Sequence, residues 1–563
     1  MRKLLRTLLL AATVPLAAAP TAAAQAQTGA QTGGHKGTLT VGITNMSAAL
    51  HPGFDPTVAQ AFVLAMARRP VTGWSHDLTL VCRLCEQVPT LENGLAKAVT
   101  RADGSRGIDV TYRLREGLAW GDGTPVTSAD VVFGWEVGRH PLSGYAQGSL
   151  YTEEIAGITA VDARTFTVHR RRAACDYADI SRLHLLPAHV ERPVFERQPA
   201  EYRNRSTYVT NPANPALWFG PYRVAEVQPG ASLLLERNPA WTGPRPHFDR
   251  IAVRIFDNRQ ALEANLLSGA VDYVAGEQGF NVQQAKTLGE RNPGRFRVEW
   301  TQGNSFNALF VNLDDPVLGD ARVRRALLMA VDRPAIIRRV LYGRAVPRHN
   351  WVSPLEPHFD PAAGEVPFDP AAAGRLLDEA GWAKGEDGMR RNASGERLTV
   401  ELDWPAVGDD LVQQVMMDGW RKLGVETRGR STAPRAYFSD VVPKRSFGGL
   451  AYLAWFPEPR QVPAPSLRST MVPGPDNNFT GQNFSGYRSA AMDGWLDKAA
   501  TQCGARENRA AWSGLQRQFA ADLPVLPLWS RQIPFVLPLW LEGVNPTAHT
   551  ATSNWIEEWR RRE

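Results

Sequence analysis

Asn304 to Gly343 reads NSFNALFVNLDDPVLGDARVRRALLMAVDRPAIIRRVLYG. Phe306, Leu309, Val311 and Leu313 space the apolar side chains of a strand, and Asp314-Asp315-Pro316 ends it, because proline brings no N–H to a ladder. Val323, Ala326, Leu327 and Ala330 then recur on one face of a helix. Arg322, Arg324 and Arg325 fall off that face and read as solvated charges, some of them near a partner-facing surface. Asp332 is placed to cap a second helix with Pro334 in its first turn, and Gly343 to end it. The stretch is a strand, a short loop and two abutting helices.

Outward from it, Val110 to Glu136 (VTYRLREGLAWGDGTPVTSADVVFGWE) is built the same way. Val110, Tyr112 and Leu114 alternate as a strand, Trp120 to Pro125 form a turn, and Thr127 or Ser128 caps a helix carrying Val131, Val132 and Trp135. Asp122 and Asp130 look like a pair of catalytic carboxylates, but a glycine turn and a helix first turn account for them. Phe219-Gly220-Pro221-Tyr222-Arg223-Val224, Leu233 to Pro239 and Phe248 to Ile251 follow as strands and turns. Gln260 to Leu267 is a helix ended by Ser268-Gly269, and Val271 to Val274 returns as a strand, a unit of an α/β sheet. Beyond Gly343 come a helix from Phe368 to Ala380 stopped by Gly381, a strand at Leu398 to Leu402, a helix at Leu411 to Leu423, and Leu523-Pro524-Val525-Leu526-Pro527-Leu528-Trp529.

The Val-Arg-Arg-Ala…Ala-Val-Asp-Arg core, the Val110 to Glu136 segment and the later segments, in that order, resemble the family 5 extracellular solute-binding proteins, receptors that deliver peptides, nickel or oligosaccharides to ABC importers. The resemblance spans nearly all of the chain beyond its leader. It implies a two-lobed α/β periplasmic binding protein fold, class II-like and of cluster C, with an extra subdomain in the first lobe. The expected division is 1–26 signal peptide, 36–75 lobe I, 76–170 lobe I subdomain, 171–275 lobe I again, 276–526 lobe II and 527–563 the return to lobe I, with the first crossing near Ala275 to Phe280. It also implies capture of a peptide or peptide-like solute by lobe closure, the permease subunits of an inner-membrane ABC transporter as partners, a monomer, no cofactor and no catalysis. An oligosaccharide receptor is the nearest alternative; a secreted hydrolase is the alternative of another class. Nickel is disfavoured, since no histidine-rich constellation is visible among the 11 histidines.

For the ligand site, the loop after the first strand offers Asn45, Met46 and Ser47. Peptide-binding members place an aspartate for the ligand's α-ammonium on the strand that here is Leu450 to Pro459, LAYLAWFPEP. Aligned on Glu458-Pro459, this chain has Trp455 at that position, so either Glu458 substitutes or the ligand lacks a free amino terminus; a buried ammonium without a partner is costly. Tyr452 on the same strand, and Arg435, Tyr437 and Phe438 before it, complete the expected set.

Met1 to Ala26 has Arg2, Lys3 and Arg6, an apolar run from Leu8 to Ala19 and small residues up to Ala26, the form of a secretory leader. The run is shorter than the roughly 20 residues that span a bilayer. No cysteine follows for a lipid anchor, so a soluble periplasmic protein is expected. Without the three leader cations, 60 basic residues face 57 acidic ones, about +3. Such scattered charge is no nucleic-acid footprint. Cys82, Cys85, Cys175 and Cys503 in an oxidising compartment read as disulfides, with Cys82 and Cys85 as the expected pair over a redox or zinc reading. No nucleophile elbow, H-E-x-x-H pair or phosphate loop appears, and Asp476 to Gly481 imitates a calcium loop without its twelfth-position glutamate, which is Tyr487. No metal is expected.

Overall fold

The computed structural model describes residues 37–563 apart from 45, 47–48, 55–56, 102–103, 146–149, 277–278, 407–409, 458–459, 478, 480 and 548–550. The leader, Asn45, Ser47 and Glu458 therefore lie outside the described residues.

The first lobe is founded on Thr38–Thr44, which pairs in parallel with Arg250–Phe256 on one side and Tyr273–Val274 on the other. Ser232–Arg237 and Tyr222–Gln228 extend this five-stranded sheet antiparallel. The parallel pairs require crossovers, and helix Arg259–Ser268 supplies one, ending at Gly269 with φ +82° where a side chain would be strained. Helix Val58–Ala67 is buried along most of its length against this sheet's core, which matches its Phe62, Val63 and Met66. A subdomain adds a four-stranded antiparallel sheet in the order Ala96–Thr100, Arg106–Arg113, Thr165–Arg170, Ile155–Ala160. Its helix Ser128–Arg139 begins at Thr127, whose N–H donates to Asp130 (2.8 Å). Buried Asp130 also accepts from Ala188 N–H and Trp120 Nε1, so this carboxylate is a structural hub.

The second lobe is a seven-stranded mixed sheet built round Phe306–Val311, flanked by Val525–Pro538 and Leu450–Trp455, with Thr399–Pro405 and Glu426–Thr432 beyond. All six residues of Phe306–Val311 are buried, because helices cover both of its faces. On one face lie Ala321–Met329, Arg333–Arg339, Pro370–Glu379 and Leu411–Leu423. On the other lie Ala490–Thr501 and Ala505–Asp522. Asp332 caps its helix by accepting from Ala335 N–H (2.8 Å), and Gly343 has φ +72°.

One reading of this region changes. Arg324 is 5 % exposed rather than solvated: its guanidinium donates to the carbonyls of Leu318, Gly319, Asp522 and Leu523. Arg325 reaches the Ala520 carbonyl (2.6 Å), and only Arg322 stays at the surface, beside Asp320. Helical spacing reports which face a residue occupies, but not that the end of another helix will bury part of that face.

Just past the expected crossing, helix Val282–Arg291 and Phe296 share a core with Leu262, Leu266 and Val271. Strand Phe296–Gln302 pairs antiparallel with Gln532 to Pro538. Strand Val525–Pro538 runs through both bodies: Leu526, Leu528 and Trp529 belong to the second core, Phe535 and Leu537 to the first.

Candidate functional site

Thr57 Oγ1 accepts from Gln60 N–H and starts helix Val58–Ala67. The Gln60 side-chain amide then donates to the carbonyls of Ala49, His51 and Phe54, fixing the preceding loop on the helix. At the other end Arg68 leaves the helix in an extended conformation (φ −150°, ψ 166°). That turn sends Arg68 and Arg69 to different surroundings. Arg69 pairs with Glu557 (2.6 Å), whereas Arg68 lines a cavity of about 400 Å³.

The cavity has walls from both lobes. The first lobe contributes the helix, the hairpin of Thr72–Trp74 with Leu80–Cys82 and the segment from Asp176 to His184; the second lobe contributes Arg460 and Gln461. The Arg460 guanidinium lies over the Trp74 ring, 5.5 Å from its centroid, so a cation–π contact crosses the cleft. Arg460 is held from behind: its N–H donates to Glu356 (3.1 Å), and Glu356 also accepts from Asn304.

The charge of the lining is uneven. Arg68, Arg83, Arg182 and Arg460 face two carboxylates, Asp176 and Asp179. Arg182 is neutralised by Glu154 (3.0 Å), and Asp179 accepts from Ser181 N–H (2.8 Å). Burial, with Arg68 and His51 adding repulsion, holds the His184 imidazole well below its usual range, so His184 is neutral at pH 7.

Two disulfides are formed. Cys82–Cys85 ties the end of the Thr72–Cys82 hairpin locally. Cys175–Cys503 joins the subdomain, next to the cavity residue Asp176, to the loop between the two long helices of the second lobe.

The residues expected from the sequence are distributed otherwise. Met46 is half-buried against the first core, and Asn45, Ser47 and Glu458 are outside the described residues. Arg435 and Phe438 are exposed and do not line the cavity. Tyr437 is fully buried, its hydroxyl donating to the backbone carbonyls of Asp403 and Tyr452 (3.1 Å each), and Tyr452 is buried with its hydroxyl accepting from Arg531. Both are core residues rather than cavity walls. Trp455 is half-buried among Phe310, Trp351 and Phe484, with ring centroids 5.4–6.0 Å away. Among the described residues from 450 to 461, Arg460 and Gln461 line the cavity. Arg68 and Trp74 carried no sequence pattern beyond a turn-forming Arg-Arg-Pro. Among the described residues, no group of three His, Cys, Asp or Glu could hold a metal ion, and no helix is long and apolar enough to cross a membrane.

Comparison with known proteins adds the following. The family model described as "Bacterial extracellular solute-binding proteins, family 5 Middle" matches residues 90–470. Protein XP55 of Streptomyces lividans is 27 % identical over 436 residues, covering 77 % of this chain and 74 % of its own length. A putative ABC transporter peptide-binding protein of Brucella abortus is 25 % identical over 438 residues, 75 % of this chain and 76 % of its own. Among solved structures, the oligopeptide-binding protein of Thermus thermophilus, complexed with a pentapeptide, superposes with a TM-score of 0.72 at 23 % identity, covering 93 % of this chain and 96 % of that one.

Proposed function

The chain belongs to the bacterial extracellular solute-binding proteins of family 5, a family of two-lobed binding receptors rather than enzymes, and on that premise we propose that it captures a peptide or peptide-like solute in the periplasm and delivers it to an ABC importer. The observation that carries this reading is the cavity walled by both lobes, with Arg460 of one over Trp74 of the other. The lobes are linked by the strand pair Phe296–Gln302 with Gln532 to Pro538 and by the Cys175–Cys503 bridge. A ligand touching both walls stabilises the closed form by as much as it binds that form better. Moving such an equilibrium from 1:99 to 99:1 takes about 5.5 kcal/mol of differential affinity.

Several features of this reading rest on the sequence and the relatives' names. Curated relatives from Brucella are named as peptide-binding proteins and one from Mycobacterium bovis as an oligopeptide-binding protein. The form of Met1 to Ala26, basic residues followed by an apolar run and small residues, supports export.

A thermal-shift screen with free peptides, amino-blocked peptides and oligosaccharides tests the function. A ligand at 100 times its Kd adds about 2.7 kcal/mol to stability. A rise of melting temperature with peptides is expected. A response confined to oligosaccharides transfers the protein to the sugar-receptor class, and measurable hydrolysis of the peptides removes it from the receptors altogether. Mass spectrometry of the exported protein, expected to lack the first 26 residues, tests the leader.

A further inference from the structure

Arg68 is 9 % exposed and lines the cleft, yet among the described residues its guanidinium has neither a carboxylate nor a carbonyl as partner. Around it stand the hydroxyls of Tyr145, Tyr151 and Tyr208, neutral groups at pH 7. Across the cleft Arg460 has Glu356 beside it, but its Nε is buried and makes no hydrogen bond among the described residues. A buried cation without a counter-charge is strongly disfavoured, and the neighbouring Arg69, at the same helix end, does have its glutamate. Among the described residues no anion answers Arg68, and the cavity it lines has room for an occupant that brings one.

We propose that the cleft selects an anionic solute and that a ligand carboxylate is received by Arg68 on the first lobe and shared with Arg460 on the second. This rests on the receptor function proposed above and names the chemical class it takes. Trp74, already beneath Arg460, offers its face to the ligand's apolar portion. Because one anion would contact a cation on each lobe, binding and closure are coupled by the same two arginines. The site would discriminate against a cationic ligand group, which would meet four arginines and two acids.

The test is calorimetry on the purified full chain with Ala-Glu-Ala, its C-terminal amide, Ala-Gln-Ala, Ala-Lys-Ala and citrate as probes. Ala-Glu-Ala is expected to bind more tightly than its amide or the glutamine and lysine peptides. Arg68→Met is expected to weaken Ala-Glu-Ala by roughly thirtyfold or more, while the melting temperature of the free variant stays level or rises, since an unpaired buried charge has been removed. A structural arginine would show the reverse. Equal binding of Ala-Lys-Ala and Ala-Glu-Ala, unchanged affinity in Arg68→Met, or binding by none of the carboxylate probes overturns the proposal. Citrate binding without any peptide binding sustains the anionic site and overturns the peptide reading. Binding of all peptides regardless of charge does the opposite.

A separate observation carries a second inference. Cys175–Cys503 joins the two bodies that opening must move apart, and the Cys175 N–H also donates to Ala500 of the second lobe (2.8 Å). We infer that this bridge is a latch that limits opening, so that the oxidised receptor exchanges ligand slowly. A dithiol opens the latch by thiol–disulfide exchange, in which the protein's S–S bond becomes two thiols while the dithiol is oxidised to its own disulfide. A Cys175→Ser/Cys503→Ser variant keeps Cys82–Cys85 and should show a larger radius of gyration by X-ray scattering without ligand, and faster ligand release. Identical apo radii and release rates overturn the latch. Contraction of the variant on adding ligand is the separate check of closure itself.

Discussion

At the scale of single residues, arginine decides more here than any other type, and its positions in sequence say little about its duties. Arg322 and Arg324 are two residues apart on one helix, one exposed beside Asp320 and one buried against four carbonyls. Arg322→Ala should change stability by no more than about 0.5 kcal/mol, whereas Arg324→Met should cost about 2–4 kcal/mol by stranding buried acceptors, both read from urea unfolding. His51 gives a pH signature. It is fully buried, accepts from Gly53 N–H at Nδ1 (3.1 Å), and is held well below 6.5 by burial and then by Arg68. The folded state keeps it neutral while the unfolded chain takes up a proton below about pH 6.5. Stability is therefore complete above that pH and declines as pH falls toward the depressed value. The urea midpoint should drop between pH 7 and pH 5, and His51→Gln should flatten the slope. Such pairings join residues far apart in the chain, which is why Asp332 as a cap was legible and Arg68 as a cavity wall was not.

Elements were read best where one local rule sufficed. Asp332 and Pro334 start their helix as capping chemistry requires, although it ends at Arg339, short of the expected Gly343, and Gly269 and Gly424 end theirs in the left-handed region. Helix Val282–Arg291 was not legible in the same way, since nothing in its spacing says which core receives Ala285 and Leu288. Strand Val525–Pro538 is the clearest test of coupling. Leu528 belongs to the second core and Leu537 to the first, and both are fully buried. Leu528→Ala and Leu537→Ala should each cost about 2–5 kcal/mol. If one strand unites the cores, each lowers a single calorimetric transition; separate melting of two lobes, with each variant shifting only one peak, would contradict that coupling.

At the scale of the whole molecule, the order of segments identified the family, while the ligand chemistry depends on surfaces that meet only after folding. Residues near 70, 180 and 460 converge on one cavity, and no spacing rule connects them. The strand Val525–Pro538 also sets a schedule. Phe306–Val311 is paired on one side by a segment more than 200 residues later, and the first lobe needs Phe535, Leu537 and Trp559 to fill its interior. At about 5–20 residues per second, synthesis of 563 residues lasts roughly half a minute to two minutes. During nearly all of that time both sheets lack a neighbour or a core plug, and a chain truncated before Val525 should show no cooperative unfolding by circular dichroism. The protein is thus kept from folding lobe by lobe as it is made, and its strand edges stay unpaired until the final forty residues arrive.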